Sequence, residues 1–138
     1  MAYDPIVKDF SGGAGPRPNL ADDEKTRQDF QWADVREAIS GLPGGGLNIA
    51  HEAIDRHVQT PLKDKPALHW EGQTGEMETY TFLDLYRLTN RFSNVLKSLG
   101  VKKGDRVFTY GDRIPEIYIA LLGGLKAGAA IGPLFSAF

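Results

Sequence analysis

The chain has 138 residues, of which 41% are hydrophobic and 25% are charged. This length suits one domain that buries roughly two-thirds of its unfolded surface, and a net charge of −2 without clustered Lys and Arg excludes a nucleic-acid binder. The sequence has no cysteine, which excludes disulfides, thiolate metal sites and cysteine nucleophiles.

Residues 1–48 are predicted to form an N-terminal arm with one short helix. The stretches SGGAGPRP and LPGGGLN are polar and irregular, and a helix is expected over Asp22–Ile39, where Phe30, Val35 and Ala38 form a loose apolar stripe. The opening MAYDPIVKDF has no basic segment followed by an apolar one. We therefore expect no secretory signal and a cytoplasmic location.

Regular secondary structure is predicted from Asn48 onwards. Asn48 can cap a helix that ends near His57. The stretches Ala67–Glu71 and Glu78–Phe82 carry aromatic residues that favour strands on either side of a turn, GQTGEM, which predicts a β-hairpin. Thr81 and Asp84 resemble a capping box. It precedes an amphipathic helix that Gly100 ends.

The C-terminal residues predict a βαβ unit. Arg106–Tyr110 is expected to be a strand, Pro115 to start a helix that runs to about Ala127 and that Gly128 ends, and Ala129–Leu134 to be a second strand. Gly123 and Gly124 are expected to let this helix approach the sheet closely. Parallel strands need cover on both faces, so we expect the chain to self-associate through this apolar region.

A membrane span is the alternative for the same region. Ile117–Phe138 has 22 residues with a single charge, which is long enough to cross a bilayer. Lys126 in mid-span, Pro133 and four glycines argue against it, as does the strand directly upstream. We therefore expect no contact with a membrane.

No candidate for catalysis or metal binding emerges from the residues themselves. His51 and His57 are six residues apart, so they do not have the i,i+4 spacing of a zinc pair. Asp55 and Arg56, beside His57, are expected to form an ion pair that fixes the helix. The run Gly44–Gly46 lacks a following Lys-Ser or Lys-Thr, so it is predicted to be a connector and not a phosphate-binding loop.

Several stretches in order resemble a known family. LNIAHEAIDRHV, ALHWEG, YTFLDLYRLTNRFSNVLKSLGVKKGDRVFTY and RIPEIYIALLGGLKAGAAIGPLFSAF are similar to the amino-terminal part of AMP-forming acetyl-CoA synthetases, which are adenylate-forming enzymes. DFQWADV resembles a tryptophan-bearing motif near the start of these synthetases. The resemblance implies an α/β fold, with residues 49–138 as the incomplete first part of the large adenylate-forming domain.

The resemblance also implies an acid–thiol ligase. A carboxylate attacks the α-phosphate of Mg²⁺-bound ATP, and the coenzyme A thiol then displaces AMP from the acyl adenylate. The loops and side chains that carry this chemistry come later in the family's chain, so the 138 residues are expected to hold no cofactor and to be inactive alone.

One contact is carried over from the family: Phe135, Ser136 and Ala137 are expected to approach coenzyme A. The family often has Gly-Gly where this chain has Ser136-Ala137. A non-catalytic binding or scaffold module derived from such a synthetase remains the alternative; it would bind a partner protein or acyl-CoA without turnover.

Overall fold

The computed structural model describes residues 20–134, which form two compact units, one ending at Ala38 and the other beginning at Ile39. The first unit contains two short helices, α1 (Asp23–Asp29) and α2 (Trp32–Ala38). The prediction of one helix over Asp22–Ile39 is therefore wrong. The backbone of Phe30 turns extended after α1, and the Phe30 and Trp32 rings meet edge to face with their centroids 5.1 Å apart.

The second unit begins with a loop and a distorted helix. The Asn48 side chain accepts hydrogen bonds from the amides of Ala50 and His51, at 2.9 and 3.3 Å, as expected for a helix N-cap. The following turn, His51–Asp55, is a π-helix and continues into α3 (Arg56–Val58). A 3₁₀ turn over Pro61–Asp64 then leads to the first strand.

A β-hairpin and a long helix follow, as predicted. Strands β1 (Pro66–Glu71) and β2 (Met77–Thr81) pair antiparallel. Helix α4 (Phe82–Ser98) begins at a capping box, in which the Asp84 amide donates to Thr81 Oγ1 at 3.1 Å and the Thr81 amide to Asp84 Oδ2 at 3.0 Å.

The predicted βαβ unit is confirmed at the C-terminal end. Strand β3 (Arg106–Tyr110), helix α5 (Pro115–Ala127) and strand β4 (Ala130–Leu134) follow one another, and β3 pairs with β4 in parallel. Gly128 ends α5 with a left-handed backbone (φ 79°), which only glycine adopts without strain.

Helix α5 approaches two neighbours closely. A Cβ on Gly123 would lie 2.8 Å from the Thr89 carbonyl oxygen of α4, whereas a Cβ on Gly124 would lie 2.5 Å from Ile131 Cδ1 of β4. Gly124 thus lets the helix approach the sheet, as predicted, and Gly123 serves the contact with α4. Within residues 20–134, no helix is both long and apolar enough to cross a bilayer.

The core of the second unit is small and lies mainly beside α4. Its buried apolar residues belong to the π-helical turn and the residue before it, to α4, and to the residue that precedes β4: Ala50, Ile54, Leu85, Leu96 and Ala129. Thr89 and Ser93 of α4 are buried with them. One face of the β3–β4 sheet, unlike this core, exposes large aromatic side chains. Strand alternation places Phe108 and Tyr110 on the same side of β3, where they are 64% and 67% exposed.

Candidate functional site

The carboxyl ends of β3 and β4 lie at one edge of the parallel pair, where Tyr110 is in register with Leu134. Ligands of open parallel sheets bind outside this edge, because the loops that leave the strands there can surround a bound molecule. Phe135, Ser136 and Ala137 follow Leu134 directly but lie outside the described residues. Their contact with coenzyme A therefore stays a prediction.

A groove of about 430 Å³ opens at this carboxyl edge. Three parts of the second unit form its walls: the end of β1, the β3–α5 loop with the first turns of α5, and the end of β4. The lining residues are Trp70, Glu71, Gly111, Asp112, Arg113, Ile114, Ile117, Tyr118, Pro133 and Leu134. We call this feature the carboxyl-edge groove.

Trp70 ties the hairpin to the wall formed by the β3–α5 loop. Its indole Nε1 donates a hydrogen bond of 2.7 Å to the carbonyl oxygen of Arg113. On the same loop, a Cβ on Gly111 would lie 3.1 Å from Ile117 Cδ1, so the backbone passes close to the first turn of α5. One tryptophan hydrogen bond thus joins segments that are 43 residues apart in sequence.

The lining of the groove combines apolar and charged surface. Trp70, Ile117, Tyr118 and Leu134 offer apolar and aromatic surface, while Arg113 and the carboxylates of Glu71 and Asp112 supply charge. Among the residues that the structure describes, no group of three or more His, Asp and Glu side chains could hold a metal ion. A lining of this composition suits a ligand with an apolar part.

The three histidines are placed separately. His57 stacks at a tilt against Phe82, with ring centroids 4.9 Å apart, and His69 Nδ1 lies 3.0 Å from Thr79 Oγ1. His51 Nδ1 lies 4.0 Å from Asp55 Oδ2 in the π-turn. None of these contacts brings two histidines to one site.

The charges near the π-turn pair differently from the prediction. Arg56 Nη1 donates to Glu52 Oε2 at 2.7 Å, an i,i+4 pair, whereas Asp55 Oδ1 lies 2.5 Å from Lys126 Nζ on α5. The expected Asp55–Arg56 pair is therefore wrong, because Asp55 points toward a buried lysine on another helix. Burial lowers the pKa of Lys126, and the contact with Asp55 opposes that effect.

Sequence reasoning missed Trp70 and Arg113 as groove residues. The sequence analysis uses Trp70 only as an aromatic residue that favours a strand. No residue near Arg113 in the sequence indicates that its carbonyl oxygen accepts a hydrogen bond from Trp70, 43 residues away. Lys126 did carry a signal, since it is one of only two charged residues from Ile114 to the end of the chain.

Comparison with known proteins identifies similar sequences. A family described as AMP-binding enzyme matches residues 54–138. An acetyl-coenzyme A synthetase from Bacillus subtilis is 45% identical over 121 residues, which cover 87% of this chain and 21% of that protein. A 3-hydroxypropionyl-coenzyme A synthetase from Metallosphaera sedula is 41% identical over 95 residues, or 69% of this chain and 14% of that protein.

A similar fold occurs in a crystal structure of an acyl-CoA synthetase from Brucella canis. The match has a TM-score of 0.74 and 29% sequence identity, and it covers 83% of this chain and 21% of that protein. The chain thus spans about a fifth of the length of these relatives or less.

Proposed function

The chain belongs to the family of AMP-binding enzymes, and on this basis we propose that it is the amino-terminal segment of an ATP-dependent, AMP-forming ligase. The ligase joins acetate, or another short carboxylate, to coenzyme A in the cytoplasm. The similarity to acetyl-coenzyme A synthetases over 87% of this chain carries the proposal. The relative that acts on 3-hydroxypropionate leaves the length and polarity of the acyl group open.

The proposed reaction has two steps. A carboxylate oxygen of the acid forms a bond to the α-phosphorus of ATP, and pyrophosphate leaves with the electrons of the broken P–O bond. The coenzyme A sulfur then bonds to the acyl carbon as the thiol loses its proton, and the bond between that carbon and the phosphate oxygen breaks, so that AMP leaves with its electrons. Mg²⁺ bound with ATP would neutralise phosphate charge, but residues 20–134 offer no cluster of ligands for it.

In the proposed ligase, this segment supplies one side of the coenzyme A binding site. The carboxyl-edge groove lies beside Leu134, and we assign Phe135, Ser136 and Ala137, which follow it, to contact with coenzyme A. Trp70 holds the β3–α5 loop and with it the opposite wall of the groove. In this proposal the segment orients the thiol substrate, while residues beyond it perform the phosphate chemistry.

The isolated 138 residues are accordingly proposed to be inactive. The assay is acetate-dependent exchange of labelled pyrophosphate into ATP, with an acetyl-coenzyme A synthetase as the positive control. No exchange above the enzyme-free blank is expected. Exchange by the purified chain would contradict the assignment of the phosphate chemistry to other parts of the ligase.

A non-catalytic binding module is the second candidate, and the carboxyl-edge groove favours it, because its lining combines apolar and charged surface that suits a ligand. Calorimetric titration of the isolated chain with acetyl-CoA distinguishes the two candidates. A binding module would bind acetyl-CoA without turnover. A segment that supplies one wall of a larger site would bind it weakly or not at all, and the ligase proposal expects that result.

A further inference from the structure

A second groove, of about 340 Å³, lies beside the π-turn, α4 and α5. It shares no lining residue with the carboxyl-edge groove, and all of its lining side chains except Leu42 are polar or charged. We call it the polar groove. Its volume is at the lower end of the range for small-molecule sites, roughly 300–1,000 Å³. A ligand that fits this groove is therefore small and hydrophilic.

Helix α4 supplies one wall of the polar groove. Four of its side chains line the groove: Asn90, Ser93, Asn94 and Lys97. Residues three and four apart in sequence are neighbours on the surface of a helix, so this spacing places the four side by side. The wall thus carries a hydroxyl, two amides and an ammonium group, all of which can donate hydrogen bonds.

Ser93 distinguishes this wall from an ordinary solvated face of a helix. The residue is 4% exposed, and its hydroxyl has no hydrogen-bond partner among the residues that the structure describes. Thr89, one turn earlier and also buried, instead donates its hydroxyl to the Leu85 carbonyl oxygen at 2.6 Å. A buried hydroxyl without a partner costs free energy. Because Ser93 lines the groove, a ligand bound there can supply the missing hydrogen bond.

The charges that line the groove leave one cation without a partner. Lys126, whose side chain is 7% exposed, lies 2.5 Å from Asp55 Oδ1 and donates a 2.9 Å hydrogen bond to Asn90 Oδ1. The charges of Lys126 and Asp55 thus compensate each other. Within residues 20–134, the Lys97 side chain makes no ion pair or hydrogen bond. The groove therefore has an excess of positive charge and favours an anion.

The arrangement of the donors suits a phosphate group. A phosphate monoester has three terminal oxygens that accept strong hydrogen bonds, and Ser93, Asn94 and Lys97 offer three donors from neighbouring positions. Lysine binds phosphate as a point charge, whereas planar two-point recognition of a carboxylate relies on arginine. No arginine in the described part of the chain lines this groove.

We propose that the polar groove binds the phosphate group of a small hydrophilic molecule. Ser93, Asn94 and Lys97 donate to the phosphate oxygens. The Asn90 amide, whose oxygen accepts from Lys126, keeps its nitrogen as a fourth donor. This site is independent of the proposed ligase reaction, which uses none of these residues.

The test is calorimetric titration of the 138-residue chain with inorganic phosphate and with glycerol 3-phosphate, at constant pH and constant ionic strength. We expect saturable binding of both. Lys97→Gln should weaken the binding of phosphate about tenfold and Ser93→Ala about fivefold, because a hydrogen bond from a charged donor is stronger than one from a neutral donor. Tighter binding of glycerol 3-phosphate would indicate a phosphate ester as the ligand, and equal binding would indicate free phosphate; both results support the site.

Two controls separate the groove from general effects of charge and folding. Arg91 is an exposed residue of α4 that does not line the polar groove, and Arg91→Gln removes the same charge as Lys97→Gln. Arg91→Gln should change the affinity for phosphate by less than about twofold, because exposed charges are screened. Ser93→Ala removes a hydroxyl that has no partner in the described residues, so its urea midpoint without phosphate should not fall.

Absence of saturable binding of both phosphate compounds would overturn the proposal. Equal weakening by Lys97→Gln and Arg91→Gln would also overturn it, because phosphate would then respond to the overall charge of α4 and not to the groove. An unchanged affinity in folded Ser93→Ala would show that the buried hydroxyl does not contact phosphate, and would overturn it as well.

Discussion

The Glu52 carboxylate shows how one residue can link stability to pH. Burial raises its pKa, but hydrogen bonds from Arg56, Gly41 and Ser40 outweigh that effect and lower the pKa to about 2, from an ordinary value of 4.5. The folded state therefore favours the ionised form. This contribution to stability is complete above about pH 4.5 and is lost as the pH falls toward 2.

The pH prediction compares the wild type with Glu52→Gln. The urea midpoint of the wild type should fall between pH 4.5 and pH 2 by more than that of Glu52→Gln, which lacks this titration. Parallel midpoint curves for the two proteins would show that Glu52 has no depressed pKa in the folded state.

The ion pair of Lys126 with Asp55 makes a second testable contribution to stability. Lys126→Met leaves the Asp55 carboxylate without its buried partner, so the free energy of unfolding should fall by about 3 kcal/mol, as for other broken buried pairs. Lys97→Met, at an exposed position of α4, is the matched control and should cost little. In the double variant Asp55→Asn/Lys126→Met, much of the loss should be recovered. If the losses of unfolding free energy in the two single variants, measured by urea denaturation, simply add up in the double variant, Asp55 and Lys126 do not stabilise each other.

At the scale of elements, α4 depends on its capping box. Thr81→Ala removes the acceptor for the Asp84 amide and should cost about 1 kcal/mol of stability. Thr81→Ser retains the hydroxyl and should cost clearly less. Thermal or urea unfolding of the two variants measures the difference, and equal losses would assign the effect to the threonine methyl group.

The contact of α4 with α5 depends on Gly123. A Cβ there would meet the Thr89 carbonyl oxygen, which belongs to the rigid backbone of α4, so Gly123→Ala should destabilise through overpacking that typically costs about 1–3 kcal/mol. The better helix propensity of alanine offsets about 1 kcal/mol of this. At Gly124 the obstacle at 2.5 Å is the end of the Ile131 side chain, which can rotate. Gly124→Ala should therefore be the milder change, and the reverse order would contradict the packing described here.

Elements whose signals are local in sequence were predicted correctly, whereas features that depend on specific side-chain contacts were not. The hairpin, α4 and the βαβ unit were predicted because their signals are local: a turn between aromatic strands, a capping box, and Pro115 and Gly128 at the ends of α5. The break after α1 and the π-turn were not predicted. At the break between α1 and α2, the rings of Phe30 and Trp32 are in contact. The helical periodicity of the apolar residues does not predict such a contact.

The candidate site also combines features that the sequence predicts with features that it does not. The predicted βαβ unit brings the carboxyl ends of β3 and β4 together, but the groove at that edge was not predicted. The expected contacts of Phe135, Ser136 and Ala137 with coenzyme A rest on family resemblance. The Trp70–Arg113 hydrogen bond that shapes the groove joins distant parts of the sequence and could be found only from the structure.

At the scale of the whole molecule, the exposed face of β3 and β4 has a consequence for the isolated chain. Phe108 and Tyr110 are about two-thirds exposed and Leu134 is 51% exposed, although parallel sheets are normally covered on both faces. We propose that a second copy covers this face when the chain is alone. The chain should then sediment as a dimer or larger species, and Phe108→Asp should shift it toward the monomer.

Trp32→Ser is the control for that experiment, since Trp32 is 74% exposed but lies on α2. It should leave the sedimentation coefficient unchanged. A wild-type chain that remains a clean monomer at high concentration would count against self-association through the sheet.

We propose that these residues supply the first part of an acetate-activating ligase and that other residues carry out its phosphate chemistry. The test is a chimera in which the part of this chain that matches the Bacillus subtilis acetyl-coenzyme A synthetase over 121 residues replaces its counterpart in that enzyme. The chimera should catalyse acetate-dependent ATP–pyrophosphate exchange, whereas the isolated chain and the relative without its matching segment should not. A folded chimera that fails to exchange, prepared beside an active native enzyme, would contradict it.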